Sequence, residues 1–232
     1  MKNKLLQNGL SSIKAIFFDM DGVIYDSMGH HSVAWNKAFA FLGLDFPLEQ
    51  VYMNEGRTGS STVQMFFREK LGREATAEEI ASIYAQKSKI FESMPKPIPF
   101  EGIAGLMRQF KSAGVAIWVV TGSAQDQLLD GLCRDFSGLI LREKIVSAKD
   151  VQQGKPNPEP YLKALKSSGF SAGEVVVIEN APLGVQSAKA AGIFTVGINT
   201  GILDDEILWN SGADVVVKGI SQLGKFFFPK KV

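Results

Sequence analysis

Phe17-Phe18-Asp19-Met20-Asp21-Gly22-Val23-Ile24 is the stretch on which the fold turns. It continues from the apolar run Ala15–Phe18, which is free of polar alternation and reads as a strand buried on both faces. Asp19 and Asp21 stand two residues apart, so in extended chain both carboxylates turn toward one side. Two acids directly beyond a buried strand repel each other and are costly to desolvate, and a bound cation would relieve both effects. Gly22 allows a sharp turn immediately afterwards. A solvated acidic turn would carry the same letters, so the pair alone does not decide its chemistry.

Further runs of the same kind follow at Val115–Val120, Val175–Ile178, Ile193–Ile198 and Asp214–Val217. Continuous apolar strands of this length predict a parallel sheet covered on both faces. Three of them are preceded by similar junctions: Lys111-Ser-Ala-Gly114, Lys166-Ser-Ser-Gly169 and Lys189-Ala-Ala-Gly192. Glycine closes a helix cheaply in the left-handed conformation, and lysine in the last turn suits the negative end of the helix dipole. Asn157-Pro158 reads as a helix start, with Asn as cap and Pro at the first helical position. Helix, glycine stop and buried strand in succession predict an open α/β sheet with helices on both faces.

Between Ser27 and Phe100 the rhythm changes to helical periodicity with no buried strand. Thr76-Ala-Glu-Glu79 is a capping box that opens a helix through about Met94, and Gly43 and Gly72 read as helix stops. Met94–Phe100 holds three prolines and reads as a stiff connector. We expect a core of residues 1–26 and 101–232, interrupted by a helical cap at 27–100 with hinge linkers at both ends. Open α/β sheets bind ligands outside the carboxyl ends of their strands, and an insert leaving from there is placed to cover the site.

Composition narrows the function classes. Lys and Arg total 25 against 24 Asp and Glu, a net charge of +1, so no electrostatic footprint for nucleic acid is expected. The longest apolar runs are far shorter than a membrane span, and MKNKLLQNGLSS does not read as a secretory signal. The lone Cys133 has no internal disulfide partner, which favours a reducing compartment. A cytoplasmic protein without membrane partners is the expectation. No motif specifies an oligomeric state.

Three more segments carry candidate chemistry. In Val119-Val120-Thr121-Gly122-Ser123 a hydroxyl at a strand end is followed by small residues whose N–H groups can hold a phosphoryl oxygen; a helix cap would look the same. Gly154-Lys155-Pro156 offers a cation, although most lysines lie on surfaces. Val177-Ile178-Glu179-Asn180-Ala181-Pro182-Leu183-Gly184 ends a strand in an acid and an amide.

Taken together, these segments resemble, in order and across essentially the whole chain, the four motifs of the haloacid dehalogenase superfamily, beginning with FFDMDGVIYDS. The resemblance implies a Rossmann-like α/β core with an inserted helical cap. It implies Asp19 as nucleophile through an aspartyl phosphate and Asp21 as general acid and base. Thr121, with Gly122 and Ser123, is the implied phosphate contact, and Lys155 the cation that balances nucleophile and phosphate. Magnesium is the implied cofactor, held by Asp19, the backbone carbonyl of Asp21, Glu179 and Asn180. The family usually has Asp where this chain has Asn180, which removes one negative charge from that set.

The insert is similar to the cap of the β-phosphoglucomutase-like subgroup. His31 and Trp35 match positions seen there, and the resemblance implies that His31 positions Asp21, while His30 reads as a surface residue. Arg57 matches a cap arginine that grips a distal phosphate, for which planar guanidinium is suited. Glu55 beside it either pairs with Arg57, faces solvent, or swings in with the cap to reach the metal and restore the charge Asn180 lacks. Glu55-Gly-Arg-Thr-Gly59 together with Ile178-Glu-Asn-Ala-Pro-Leu-Gly184 resembles the inorganic pyrophosphatases of the superfamily. The expected function is therefore magnesium-dependent hydrolysis of a small phosphorylated metabolite, with inorganic pyrophosphate as a candidate. The alternatives are a β-phosphoglucomutase, which would use Lys87 or Lys89 of the long cap helix, and a non-catalytic binding protein of the same fold. Cys133 is expected to be chemically inert, and Phe226–Phe228 to pack on the last helix or the sheet edge.

Overall fold

Alternate residues of strand β1 (Ala15–Phe18) enter two different cores, as a strand of period two covered on both faces requires. The computed structural model describes residues 12–229, so the opening segment read for a signal lies outside the described residues except for Ser12. Ile16 and Phe18 pack with helices α5 (Ile103–Ser112), α6 (Asp126–Asp135) and α10 (Gly219–Phe227). Ala15 and Phe17 pack on the other face with α7 (Glu159–Ser168) and α8 (Pro182–Ala190). This is the doubly covered sheet that the apolar runs predict.

The sheet has six parallel strands in the order β5 (Ile145–Val146), β4 (Ala116–Val120), β1, β6 (Val175–Glu179), β7 (Phe194–Asn199) and β8 (Val215–Lys218). The chain runs outward from β1 to one edge and then returns to build the other half. β1 therefore lies at the switch point, where ligands of such sheets bind. Strand β5 was not expected, because two residues carry no periodicity. Gly114, Gly169 and Gly192 all take positive φ, so the three glycine stops form as expected. Helix α7 begins one residue later than the Asn-Pro signal suggests: Asn157 Oδ1 caps Glu159 N at 2.9 Å, and Pro160 takes the early helical position.

The insert contains α1 (Met28–Phe39), α2 (Leu48–Met53), α3 (Gly59–Leu71) and α4 (Ala77–Glu92) around a core of its own, in which Phe39 stacks on Phe66 at 4.0 Å. The capping box is reciprocal, Glu79 N donating to Thr76 Oγ1 and Thr76 N to Glu79 Oε2. Helix α4 stops at Glu92, two residues before Met94. Its stem is a short antiparallel ribbon of β2 (Tyr25–Asp26) and β3 (Ile98–Pro99), which the proline-rich connector concealed. At the other end of the chain, Phe227 and Phe228 pack their rings on Phe110 of α5. Among the described residues, no helix is long and apolar enough to cross a membrane.

Candidate active site

Parallel register brings the functional residues to one level. Phe18 pairs with Val119 on one side and with Ile178 on the other, so Asp19, Thr121 and Glu179 leave the carboxyl ends of three adjacent strands together. Lys155 arrives from the loop after β5. That loop is pinned by Gln152 N and Gln153 N, each donating to the Glu159 carboxylate at 2.8 Å.

Lys155 Nζ donates to Asp19 Oδ1 at 2.6 Å, to Glu179 Oε1 at 2.5 Å and to the Val120 carbonyl at 3.1 Å. All three side chains are buried. Burial would lower the Lys155 ammonium, but Asp19 and Glu179 outweigh it and hold it above the ordinary lysine range. Tyr161, which sequence reasoning missed, donates its hydroxyl to Glu179 Oε1 at 2.7 Å. Its only signal was a place on the buried face of α7. Gly184 lies where a β-carbon would collide with the Glu179 carboxylate, which explains the glycine in the fourth motif.

Asp19 is held on one side only. Oδ1 takes Lys155, whereas Oδ2 is buried without a hydrogen bond. Desolvation raises its carboxyl well above the usual range; Lys155 opposes this, and Glu179 and Asp21 reinforce it. Asn180 Oδ1 is also buried without a partner, its amide packed against Gly22, whose φ of 80° and missing side chain make the space. Unpaired buried acceptors are rare and ask for a partner. Asn180 Oδ1, with the second lone pair of Asp19 Oδ1, suits a hard cation such as magnesium and leaves Asp19 Oδ2 open. Glu179 is less free than the ligand expectation assumed, since Oε1 serves Lys155 and Tyr161 and Oε2 takes the Ala181 N–H at 3.4 Å.

Asp21 belongs to a second cluster. Its Oδ1 accepts from Ser27 Oγ at 2.6 Å, and His31 Nε2 stands 3.0 Å from the same oxygen, within ion-pair distance but out of hydrogen-bond alignment. On its other side His31 Nδ1 meets Lys87 Nζ at 3.0 Å. Lys87, not Lys89, is thus the buried cap lysine, lying 4.9 Å from the Phe91 ring centre. Burial pushes Asp21 upward, but His31, Ser27 and Lys87 outweigh it and hold the carboxyl below its ordinary value. Burial lowers Lys87, against the pull of Asp21 and Glu55. His30 is half-buried and rests edge-on near Phe91.

Glu55 feels His31, Asp21 and Lys87, and burial raises its carboxyl. Arg57 instead donates Nε to Asn54 Oδ1 at 3.1 Å. It lines a groove shared with Gln64, Gln152 and Lys155. Thr121 is buried, and its Oγ1 accepts from Ser123 N at 3.1 Å. The local capping bond is therefore real and leaves the hydroxyl proton available. Beside Asp21 a cavity of about 420 Å³ opens between the end of α4 and α6, walled by Met20, Tyr25, Phe91 and Arg134. Cys133 sits half-buried on α6, and burial pushes its thiol up, away from reactivity.

Comparison with known proteins agrees with this geometry. Residues 13–192 match the family model of haloacid dehalogenase-like hydrolases. The chain is 28% identical to the validoxylamine A 7'-phosphate phosphatase of Streptomyces hygroscopicus subsp. limoneus, over 90% of this chain and 95% of that protein. It is 27% identical to the β-phosphoglucomutase of Bacillus subtilis, over 91% of this chain and 92% of that one. A solved Bacteroides vulgatus protein, provisionally named as a β-phosphoglucomutase, superimposes with a TM-score of 0.88 at 46% identity, covering 92% of this chain and 86% of that chain. The chain belongs to the haloacid dehalogenase-like hydrolase family, in its β-phosphoglucomutase-like branch, and is an enzyme of the phosphohydrolase class.

Proposed function

We propose that the chain hydrolyses a small phosphorylated metabolite through an aspartyl phosphate on Asp19, with inorganic pyrophosphate as the favoured substrate. The observation that carries the reaction is the asymmetry of Asp19: Lys155 fixes Oδ1 while Oδ2 is buried and unengaged. A fixed carboxylate with one free oxygen is prepared for in-line attack. Oδ2 attacks phosphorus and the bond to the leaving oxygen breaks, Asp21 supplying a proton where the leaving oxygen needs one. Water then attacks phosphorus, Asp21 accepts its proton, and phosphate leaves Asp19. Lys155 balances charge throughout, and the Thr121 hydroxyl is free to donate to a phosphoryl oxygen. Magnesium, held by Asp19, the Asp21 carbonyl, Asn180 and either Glu179 or Glu55, would neutralise the phosphoryl oxygens.

Two features favour pyrophosphate. Asp21 is held acidic, which suits departure of a phosphate, a group that needs little protonation, better than departure of a sugar alkoxide. Burial raises the Glu55 carboxyl, which feels the charges of His31, Asp21 and Lys87, the neighbourhood that a carboxylate compensating for Asn180 would need. The test is phosphate release with magnesium from pyrophosphate against a panel of sugar phosphates including β-glucose 1-phosphate. Faster turnover of a hexose phosphate would sink the pyrophosphate reading, and Glu55→Ala should lower pyrophosphate turnover if the carboxylate serves the metal.

The contact of Lys87 with His31 supports a second reading, a mutase, because it ties the cap to the acid–base residue. Dependence on a sugar bisphosphate activator would identify it. Activity that survives Asp19→Asn would remove the covalent step from both readings, and a wild type inactive on every phosphate tested would leave a binding protein.

A further inference from the structure

Two core glycines in the site loops are not required by the backbone. Positive φ explains Gly22 and Gly56, but Gly122 and Gly154 have ordinary torsions. What they lack is space. A β-carbon on Gly122 would lie 2.9 Å from the Gly56 carbonyl oxygen and 3.0 Å from that of Arg57. One on Gly154 would lie 2.8 Å from Thr58 Cγ2 and 3.1 Å from Thr58 N. From the other side, one on Gly56 would come 2.7 Å from Lys155 Cδ. Loops from two different strands thus present bare backbone to a single stretch of the insert, residues 56–58.

We propose that Gly122 and Gly154 form the seat that sets how far the insert closes, and that this depth restricts the enzyme to compact phosphates. This rests on the phosphohydrolase reading and deepens it. Gly122 follows Thr121, and Gly154 precedes Lys155, so the seat flanks the place where the phosphoryl group must lie. What descends on the seat is mainly backbone, with carbonyls and an N–H that cannot rotate aside as a side chain can. A leaving group carried toward residues 56–58 collides there, and the cavity beside Asp21, walled by the end of α4 and by α6, does not reach that stretch. The two glycines are specificity-determining by absence: a single methyl on either lifts the insert and admits bulkier esters.

The structure supplies its own control. Thr58 caps α3 through Oγ1, which accepts from Ser61 N at 3.3 Å. Thr58→Ser keeps that oxygen and removes only Cγ2, the atom nearest a β-carbon at 154. The experiment compares wild type, Thr58→Ser, Gly154→Ala and the double variant by amide hydrogen exchange over residues 54–58. It also compares the ratio of kcat/KM for pyrophosphate to that for β-glucose 1-phosphate. Gly154→Ala should speed exchange and shift the ratio about tenfold toward the sugar phosphate, the scale of one misfitting methyl group. Adding Thr58→Ser should reverse most of both changes, since only the contact with Thr58 N then remains, and neither misfolding nor a displaced Lys155 would allow that. Unchanged exchange in Gly154→Ala, or changes that Thr58→Ser does not reverse, would overturn the proposal. A wild type that prefers the sugar phosphate would remove the pyrophosphate reading, while the exchange data would still judge the seat.

Discussion

Lys87 Nζ lies 3.0 Å from His31 Nδ1, so a buried cap lysine touches the ring that faces Asp21, the proposed acid–base carboxylate. This makes the acidity of a core residue depend on the position of the insert. His31, Ser27 and Lys87 depress Asp21. A depressed carboxyl contributes stability above its unfolded pKa and loses it as the pH falls through the folded one. Lys87→Met should therefore raise Asp21, move the acid limb of the kcat profile to higher pH and reduce kcat by about 10²-fold. A pH–rate profile of variant and wild type checks this; an equal loss at every pH would mean that Lys87 only packs.

Lys155→Met should abolish turnover and leave Asp19 and Glu179 buried without their shared cation. Breaking such a pair costs about 3–5 kcal/mol at neutral pH. Asp19, already raised by burial, would lose the charge that opposes the rise, so the deficit should be small in acid and grow as the pH rises through the carboxylate range. Denaturant melts across that range measure it.

Divalent cation should stabilise the protein in a pH-dependent way. Asp19 is raised by burial, so in the absence of a cation its ionisation costs stability as the pH climbs. Magnesium at about a hundredfold excess over its Kd should add about 2.7 kcal/mol at neutral pH, and little where Asp19 is protonated. Asp19→Asn should remove most of the effect. Calorimetry with magnesium and with a chelator gives the comparison without any turnover assay.

Tyr161→Phe tests the least conspicuous member of the site. It deletes the donor to Glu179 Oε1 and should cost about 1.5–3 kcal/mol, the range for a hydrogen bond to a charged group. Activity should fall less than in Lys155→Met, because Lys155 still holds Asp19.

The candidate site was legible where its residues sit in short continuous motifs, and the sheet where strands are long enough to be apolar runs. Asp19, Thr121 and Glu179 converge because parallel register aligns the ends of apolar strands, and Lys155 joins them from the loop after β5. Strand β5 and the β2–β3 ribbon have only two residues per strand, too few to show a period. The choice of Lys87 over Lys89 depends on the rotation of α4, and Tyr161 on how α7 lies against β6; both are set by tertiary packing. Ser27 stood in the quoted first motif, yet its bond to Asp21 needs the turn at Gly22 to bring it back. The glycines at 122 and 154 were visible as letters, but only the approach of residues 56–58 shows why no side chain fits there.

The ribbon at the base of the insert has one last implication. Tyr25 pairs with Pro99 and Asp26 with Ile98, so the chain leaves the sheet and returns to it at neighbouring points, with Cα atoms about 5 Å apart. Everything beyond that stem is, in effect, a plug on a two-pin socket: a longer, shorter or wholly different module could be exchanged there without breaking a single sheet hydrogen bond. A lineage built this way can exchange lids while Asp19, Lys155 and Glu179 stay where the sheet and its loops hold them, and each new lid resets Asp21 through the groups it brings.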